Sequence, residues 1–284
     1  MVLNHNLTKE TQRKKAERFL ELHHGERILV LPNAWDVASA KVFERAGFNA
    51  IATTSAGIAN ANGYPDGERM SRAEMLEAIR RIAQMTALPV TADMEEGFGA
   101  APQQVAETAR LTLEMGAVGI NLEDGTRDEA HPLTEIPLQA EKIKAARQAA
   151  DAYDIPLVIN ARVDVYEKAG GDHKDFLAEA IRRGNAYREA GADCIFMISV
   201  DNRETIAQLA REIAAPLNVL ARRGSPTIAE LQQLGVARVT FGSIPMRAAM
   251  TLTKRIAEEI AQHGTYGFAE DILTYGEANA YFEK

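Results

Sequence analysis

The stretches ERAGFNAIA (44–52), LEMGAVGINL (113–122), REAGADCIFM (188–197) and QQLGVARVTF (232–241) decide the fold, because one local pattern recurs in all four. In each stretch an amphipathic segment ends at a glycine and an apolar run follows at once. A glycine in this place typically ends a helix in the left-handed conformation. The pattern therefore predicts four copies of helix, C-cap and strand, with the caps at Gly47, Gly116, Gly191 and Gly235.

The rest of the chain extends the same alternation of short apolar runs and longer amphipathic segments. The apolar runs are ILVLP, AIATTS, PVTADM, GINLED, LVINARVDV, CIFMIS, LNVLA and RVTFGS. Strands that are apolar on both faces and separated by helices form a parallel sheet, which the helices cover. Eight such units predict a (β/α)₈ barrel. A doubly wound open sheet is disfavoured, because no G-x-G-x-x-G follows the first strand.

The length of 284 residues favours one domain over two, since single barrels of this class commonly run to about 250 residues. We expect one barrel domain over residues 1–284. An N-terminal helix is predicted at about 8–24. Additional C-terminal helices are predicted at about 246–284, from MRAAMTLTKRIAEEIAQHG and from FAEDILTYGEANAYFEK.

Charge and hydropathy exclude several classes of protein. The formal net charge is -8 and the isoelectric point is about 5.4, which disfavours a nucleic-acid groove. The mean hydropathy is -0.22, and the sequence has no apolar stretch long enough to span a membrane. The N-terminus also lacks the apolar core of a secretory signal, so we expect a cytoplasmic protein with no membrane partner. Cys194, the single cysteine, lies in an apolar run and is predicted to be a core residue.

Acidic residues stand where the apolar runs end, which is where barrels of this class place their sites. Asp93 and Glu95 end the third run, Glu123 ends the fourth, and Asp66 follows the second. If the extended geometry persists, Asp93 and Glu95 point the same way. One such acid alone is more often a cap or a solvated charge, but several that converge require a cation. Oxygen ligands favour Mg²⁺, with Mn²⁺ as an alternative.

Other residues near the strand ends suit an anionic substrate. Arg162 ends the fifth run, where it is expected to clamp a carboxylate, to pair with a barrel acid such as Glu123, or both. The small-residue loop TTSAGIANANGYPDG is expected to offer backbone N–H groups to an anion. The predicted substrate-binding set is Thr54, Ser55, Ala56, Gly57, Asp93, Arg162 and Asn218.

Together the segments LPNAWDVASAKVFERAGFNAIATTSAG, GYPD, ADMEEGFG, NLEDG and NARVD resemble the phosphoenolpyruvate mutase and isocitrate lyase superfamily, and among its members 2-methylisocitrate lyase. The similarity spans roughly residues 25–260. Its most specific part is D-x-[DE]-x-G-[FY]-G followed by a strand-end L-E-D.

The resemblance implies a barrel whose terminal helix is exchanged between the subunits of a dimer or tetramer. It also implies Mg²⁺ and a small 2-oxo carboxylate, or its enolate, as the common ligand. On the matching positions it gives Asp66, Asp93, Glu95 and Glu123 as the residues that hold the metal, mostly through waters, and Thr54, Ser55 and Arg162 as substrate-binding residues. The predicted catalytic residues are Arg162, Glu123 and Asp66.

Two departures from the family pattern bear on the reaction. The lyases resemble one another in a K-[KR]-C-G-H loop, whereas this chain has GTRDEAHPLTEIP (125–137) without a cysteine. The mutases resemble one another in ILMHS, whereas this chain has IFMIS, with Ile198 in place of the histidine. A true isocitrate lyase and carbon–phosphorus chemistry are therefore both disfavoured.

Three hypotheses follow. The first is an Mg²⁺-dependent carbon–carbon lyase, of decarboxylase or retro-aldol type, that acts on a small 2-oxo or 2-hydroxy di- or tricarboxylic acid through a metal-stabilised enolate. The second is carbon–phosphorus chemistry on phosphonopyruvate or phosphoenolpyruvate. The third is a non-catalytic 2-oxo acid binding protein of the same superfamily. The sequence does not define the acid, the number of subunits or whether turnover survives without the loop cysteine.

Overall fold

A computed structural model describes residues 8–169 and 175–283, and shows a ring of parallel strands surrounded by helices. Every neighbouring pair in the ring is parallel. The strands are β1 (Leu29–Leu31), β2 (Asn33–Ala34), β3 (Ile51–Thr53), β4 (Val90–Asp93), β5 (Gly119–Glu123), β6 (Val158–Val163), β7 (Cys194–Met197), β8 (Leu217–Leu220) and β9 (Arg238–Thr240).

The ring closes at Pro32, which separates β1 from β2. These segments are two halves of one extended run, because β1 pairs with β9 and β2 pairs with β3. Proline has no N–H to donate, so a ladder is interrupted where it stands. Nine short segments of the described chain thus make eight barrel strands, which confirms the predicted (β/α)₈ barrel.

Most of the helices lie between strands in sequence and form the outer layer of the barrel, while α1 precedes the first strand and α11 and α12 follow the last. They are α1 (Lys9–Leu22), α2 (Val37–Arg45), α3 (Ser55–Ala61), α4 (Arg72–Met85), α5 (Pro102–Glu114), α6 (Ile136–Tyr153), α7 (Val165–Ala169), α8 (Leu177–Glu189), α9 (Arg203–Glu212), α10 (Ile228–Gln233), α11 (Ile244–His263) and α12 (Tyr275–Ala280). Several begin with a reciprocal capping box, as at Ser71 and Glu74 of α4.

The four glycines of the recurring pattern have the left-handed backbone that the sequence predicts. Their φ angles are 86°, 95°, 111° and 88° in chain order. In three of the four copies the residue after the glycine donates its N–H to a carbonyl five residues earlier, for example from Phe48 to Phe43. This is the hydrogen bond of a Schellman cap, which turns the chain out of the helix and into the next strand.

Two segments differ from the prediction. The loop TTSAGIANANG contains helix α3, because Thr54 caps it by accepting from the Gly57 N–H. The last predicted helix is mostly irregular, since only Tyr275–Ala280 is α-helical after a short 3₁₀ turn at Gly267–Ala269. The predicted domain also includes residues 1–7, 170–174 and 284, which lie outside the described residues.

Helix α1 closes the end of the barrel at which the strands begin. Gln12 donates to the carbonyl oxygens of Leu113 and Ala117, at 2.7 and 3.0 Å. Phe19 is fully buried, and a Cβ on Gly119 would lie 2.8 Å from its ring. The barrel is therefore sealed at this end. Within the ranges that the structure describes, no helix is long and apolar enough to cross a membrane.

Candidate active site

A cavity of about 360 Å³ lies at the carboxyl ends of the strands, opposite α1. Its volume falls in the range of small-molecule sites, roughly 300 to 1,000 Å³. A smaller cavity of about 220 Å³ adjoins it and shares Ser55, Asp66 and Arg162. The predicted site residues that border one or both cavities are Thr54, Ser55, Ala56, Asp66, Asp93, Glu95, Glu123, Arg162 and Asn218.

Gly57 is the member of the predicted set that borders neither cavity. A Cβ at this position would lie 2.5 Å from the Thr54 Cγ2 atom and 3.0 Å from the Trp35 Cβ atom. The structure thus gives Gly57 a packing role, because only a residue without a side chain fits there.

Asp93 ends β4 and is held from two sides. Its Oδ2 atom accepts from the Ser55 N–H at 3.0 Å and from the Ser55 hydroxyl at 2.8 Å. Its Oδ1 atom accepts from the Asn121 amide at 3.5 Å. The carboxylate is therefore fixed at the floor of the β3–α3 loop, with its charge shared among neutral donors.

The backbone N–H groups of this loop are mostly engaged within the protein. Thr54 donates to the Ala34 carbonyl at 3.2 Å, Ser55 donates to Asp93, and Gly57 donates to the Thr54 hydroxyl. Within the described ranges, the Ala56 N–H has no hydrogen-bond partner and its residue borders the larger cavity. Of the backbone N–H groups of Thr54, Ser55, Ala56 and Gly57, that of Ala56 therefore remains available to an anion.

Arg162 lies between two carboxylates on the rim of both cavities. Its Nη1 atom is 2.6 Å from Glu123 Oε2, and its Nη2 and Nε atoms are 2.6 and 3.0 Å from Asp164 Oδ1. Burial acts to lower the pKa of Arg162, but the charges of Asp164 and Glu123 raise it overall. A guanidinium has five N–H groups, so this one keeps donors for a substrate while its position is fixed.

Glu95 does not continue the strand from Asp93. Its φ angle is 51°, in the left-handed region that is uncommon for residues with a side chain. The Met94 side chain is fully buried, and Gly97 closes a turn by donating to the Met94 carbonyl at 2.8 Å. The extended geometry therefore ends at Asp93, and a strained turn brings the Glu95 carboxylate to the smaller cavity.

Two residues outside the predicted set fix this turn. Glu68 donates its N–H to Glu95 Oε2 at 2.6 Å and accepts from the Phe98 N–H at 3.0 Å. Arg127 lies 3.2 Å from Glu68 and 3.9 Å from Glu95. The position of Arg127 could have been noticed in the sequence, because it lies in the loop where the lyases of the family have their cysteine motif. No sequence motif pointed to Glu68.

Asp124 faces away from the site, although it adjoins Glu123 in sequence. It is fully buried and accepts from the Tyr187 hydroxyl at 2.7 Å and from Arg183 at 2.9 Å. It also accepts from the Asp164 N–H at 2.8 Å. Asp124 therefore anchors helix α8 and the start of α7, and supports the backbone around the Arg162 clamp.

The acids that border the cavities raise one another's pKa. Burial, followed by the charge of Asp93, raises the pKa of Glu95 to about 8. Burial also raises the pKa of Glu123, with Asp164, Asp93 and Glu95 acting in the same direction and Arg162 against it. Partial withdrawal from water raises the pKa of Asp66, and Asp93 adds to the shift. The site thus has more carboxyl groups than its arginines pair with, and the raised pKa values show that their ionised forms lack sufficient positive charge nearby.

Such a group of carboxyl groups fits a divalent cation, which would favour their ionised form. Within residues 8–169 and 175–283, no three Asp, Glu, His or Cys side chains are arranged to hold one ion directly. Magnesium ordinarily keeps several waters and takes one or two protein carboxylates. Asp66, Glu95 and Glu123 border the 220 Å³ cavity and Asp93 borders the larger cavity beside it, so these four residues are available to hold such a partly hydrated ion.

The fold and site define a class of protein: a (β/α)₈ barrel with a carboxylate-rich, arginine-clamped pocket at the carboxyl ends of its strands. The model of the family phosphoenolpyruvate phosphomutase matches residues 19–261. The chain belongs to this family, and so to the phosphoenolpyruvate mutase and isocitrate lyase superfamily, as the sequence motifs predict.

Similar proteins include several enzymes. The chain is 32% identical to 2,3-dimethylmalate lyase of Eubacterium barkeri, over 93% of this chain and 92% of that protein. It is 31% identical to 2-methylisocitrate lyase of Bacillus subtilis strain 168, over 90% of this chain and 84% of that protein. A crystal structure of phosphonopyruvate hydrolase complexed with oxalate and Mg²⁺ matches with a TM-score of 0.83 and 26% identity, over 94% of each chain.

These comparisons confirm that the chain is an enzyme of this superfamily, and its lyase relatives support cleavage of a carbon–carbon bond as its class of reaction. Its relatives act on small carboxylic acids, in agreement with the size and charge of the cavity.

Proposed function

We propose that this protein is a Mg²⁺-dependent lyase that cleaves a carbon–carbon bond in a small 2-oxo or 2-hydroxy di- or tricarboxylic acid. The observation that supports this most is the position of Arg162, which is locked between Glu123 and Asp164 and faces the cavity that Asp66 and Asp93 also border. The arrangement combines a fixed cationic clamp with acids that suit a divalent ion. This is what an oxo acid needs for recognition and activation.

Separate groups of residues bind the substrate and the metal. Arg162 and the Ala56 N–H bind the carboxylate next to the oxo or hydroxy carbon, because both offer donors into the same cavity. Asp66, Asp93, Glu95 and Glu123 hold the metal, directly or through water. When bound, Mg²⁺ supplies a Lewis acid that draws off the negative charge that develops as the bond breaks.

Decarboxylation of a 3-carboxy-2-oxo acid suits this site best among the possible cleavages, because it needs no base to start it. The bond to the leaving CO₂ breaks, its electron pair passes into the 2-oxo group to give an enolate, and water supplies the proton that converts the enolate into the product. The loop after Glu123 has no cysteine to act as the proton donor of the lyases. Cys194 does not replace it, since its thiol is fully buried in β7 and burial raises its pKa to about 12. His131 is exposed at the tip of the loop and hydrogen-bonds to Asp128.

A panel of oxo and hydroxy acids, assayed with and without EDTA, tests the proposal. We expect one or more di- or tricarboxylic acids to release pyruvate, glyoxylate or CO₂ with Mg²⁺ and none with EDTA. Turnover that EDTA leaves unchanged would contradict the metal requirement. Mg²⁺-dependent binding of oxalate without turnover of any acid would instead support a non-catalytic binding protein.

Carbon–phosphorus chemistry is the second candidate, favoured by the family that matches and by the phosphonopyruvate hydrolase structure. Ile198 weighs against it, because it borders the cavity where the mutase pattern has a histidine and an alkyl side chain offers no hydrogen bond to a phosphoryl group. A ³¹P NMR assay with phosphonopyruvate tests this. No new phosphorus signal is expected from an enzyme that cleaves carbon–carbon bonds.

We also propose that the chain forms a homo-oligomer through its C-terminal helices. In α11 the one buried residue is Met246, whereas Met250, Leu252 and Ile260 are 63%, 57% and 49% exposed. These side chains are distributed around α11, so a helix that is exposed on several sides carries apolar residues that a partner subunit could bury. The exchange of this helix between subunits, implied by the family resemblance, gives these residues a partner.

A further inference from the structure

Arg238 lies at the floor of the larger cavity without an acidic partner. It is the first residue of β9 and is 1% exposed. Among the residues described, its contacts are a 3.4 Å approach of Nη1 to His23 Nε2 and a position 5.9 Å from the Phe19 ring centre. Its Nε atom is buried and has no hydrogen-bond partner.

Two neighbouring side chains are also incompletely bonded. Asn218 faces Arg238 in the β8–β9 register, and its Nδ2 atom is buried without a partner. The Thr91 hydroxyl on β4 is likewise buried without one. All three residues border the same cavity as Asp93 and Arg162. Three strands therefore bring buried polar atoms to the floor of this cavity, and the described residues give these atoms no hydrogen-bond partner.

The charge of Arg238 makes this floor attractive to an anion. Burial lowers the pKa of Arg238 to about 10, with Cys194 and Asp93 acting in the opposite direction, so the guanidinium stays protonated at neutral pH. A buried charge without a partner is costly. Among the described residues, Phe19 of α1 and His23, which caps this helix, cover Arg238 from below, so the cavity is the side from which an anion can approach it.

We propose that Arg238, Asn218 and Thr91 form a second carboxylate subsite, which binds the far end of the substrate. The inference rests on the proposed function and narrows it to 2-oxo or 2-hydroxy dicarboxylic acids. Thr91 lies two residues before Asp93 on one strand, a rise of about 6.6 Å. A backbone of four or five carbons, with bonds of about 1.5 Å, covers the distance between the two ends of such a site.

Calorimetry with matched ligands tests the subsite separately from the head site. In the presence of Mg²⁺, oxalate and 2-oxobutanoate probe the head site that Arg162 and the metal residues form, while 2-oxoglutarate carries a further carboxylate at its far end. We expect the parent protein to bind a dicarboxylate about 10- to 100-fold more tightly than 2-oxobutanoate, which is the usual contribution of hydrogen bonds to a charged group.

Arg238→Met should remove that preference and leave oxalate binding within about twofold of the parent. Methionine replaces the alkyl stem of the arginine and omits the guanidinium, and replacing an unpaired buried charge with an apolar group is often neutral or stabilising. Asn218→Asp provides a second variant that does not depend on tolerance of methionine. Its new carboxylate would pair with Arg238, so the melting temperature should rise while the dicarboxylate preference disappears.

The outcomes separate the two proposals. If the parent shows no Mg²⁺-dependent oxalate binding, the proposed function fails. If oxalate binds but the parent does not prefer dicarboxylates, or if Arg238→Met retains the preference, the subsite is wrong. A chloride titration tests whether an inorganic anion, rather than the substrate, binds Arg238 at the floor of the cavity. Chloride that stabilises the parent but not Arg238→Met, with no dicarboxylate preference, would overturn the substrate role.

Discussion

Arg162 Nη1 lies 2.6 Å from Glu123 Oε2, and the two residues are direct register partners on β6 and β5. The barrel ladder thus sets the position of the pair before any ligand is present. Asp164, which is fully buried, holds the other side of the guanidinium at 2.6 Å. The clamp is therefore preorganised, and a substrate does not have to order it on binding.

Arg162→Lys tests whether substrate binding needs the planar arrangement of guanidinium N–H donors in addition to the positive charge. Lysine keeps one positive charge but cannot contact Glu123, Asp164 and a substrate carboxylate in the same planar geometry. We expect kcat/KM to fall by about 100-fold or more, as for the loss of an oriented donor in an active site. Steady-state kinetics on the acid found in the substrate panel measures this.

A stability measurement is the control for that variant. Arg162→Met should lose roughly 3 to 5 kcal/mol of unfolding free energy, because it leaves the buried Asp164 without its cationic partner and with the Gly125 N–H as a hydrogen-bond donor. Arg162→Lys should lose less. Equal activity of parent and lysine variant would remove Arg162 from the binding role.

Asp93→Asn tests the metal assignment with little change in shape. The amide keeps an oxygen that accepts from Ser55, as Asp93 does at 2.8 and 3.0 Å, but it has no charge for a cation. We expect turnover to fall to the level measured with EDTA and the Mg²⁺ dependence to disappear. Asp151→Asn, at an exposed position of α6, is the matched control and should leave both unchanged. Normal Mg²⁺-dependent turnover by Asp93→Asn would refute the assignment.

The sequence predicted the barrel because its signals were local. A glycine after each of four amphipathic segments specifies a left-handed cap, whatever the rest of the chain does. Helix α3 was not predicted, because the small residues of this segment have weak helical periodicity and the helix depends on the Thr54 cap. Whether the predicted site residues act as proposed remains a prediction, although the structure brings all but Gly57 to the two cavities.

The residues that sequence reasoning missed have roles that depend on distant contacts. Arg238 looked like an ordinary strand residue, and its unpaired guanidinium becomes evident only once β8, β9 and α1 surround it. Glu68 likewise matters because it joins the turn at Glu95, 27 residues away. Such partners are set by the closure of the barrel, and no short motif encodes them.

His23 should make the stability of the protein depend on pH. It is 3% exposed, its Nδ1 atom lies 2.7 Å from the Phe19 carbonyl, and burial, followed by the charge of Arg238, lowers its pKa to about 3. The unfolded chain binds a proton near pH 6.5, whereas the folded chain does not until about pH 3. Stability from this residue is thus complete above pH 6.5 and falls as the pH drops toward 3.

The expected loss is about 2 kcal/mol between pH 8 and pH 5, since each pH unit corresponds to about 1.36 kcal/mol for one proton. Urea unfolding at several pH values measures it. His23→Gln should show a shallower decrease than the parent over this interval, whatever its absolute stability. His24→Gln, at the exposed neighbouring position, should follow the parent. Parallel curves for parent and His23→Gln would contradict the assignment.

Met250→Glu tests the proposed subunit contact through α11. The side chain is 63% exposed in the single chain, so a glutamate there should barely affect the folding of one subunit. In an oligomer it would place a charge in an apolar interface without a partner, which is strongly unfavourable. We expect sedimentation to show a shift of the parent oligomer toward smaller species, with an unchanged circular dichroism spectrum.

Gln262→Glu adds the same charge on a polar position of α11 and should leave the oligomer intact. A parent that sediments as a single subunit would refute the proposed assembly, and a stable Met250→Glu oligomer would exclude this face of α11 from the contact.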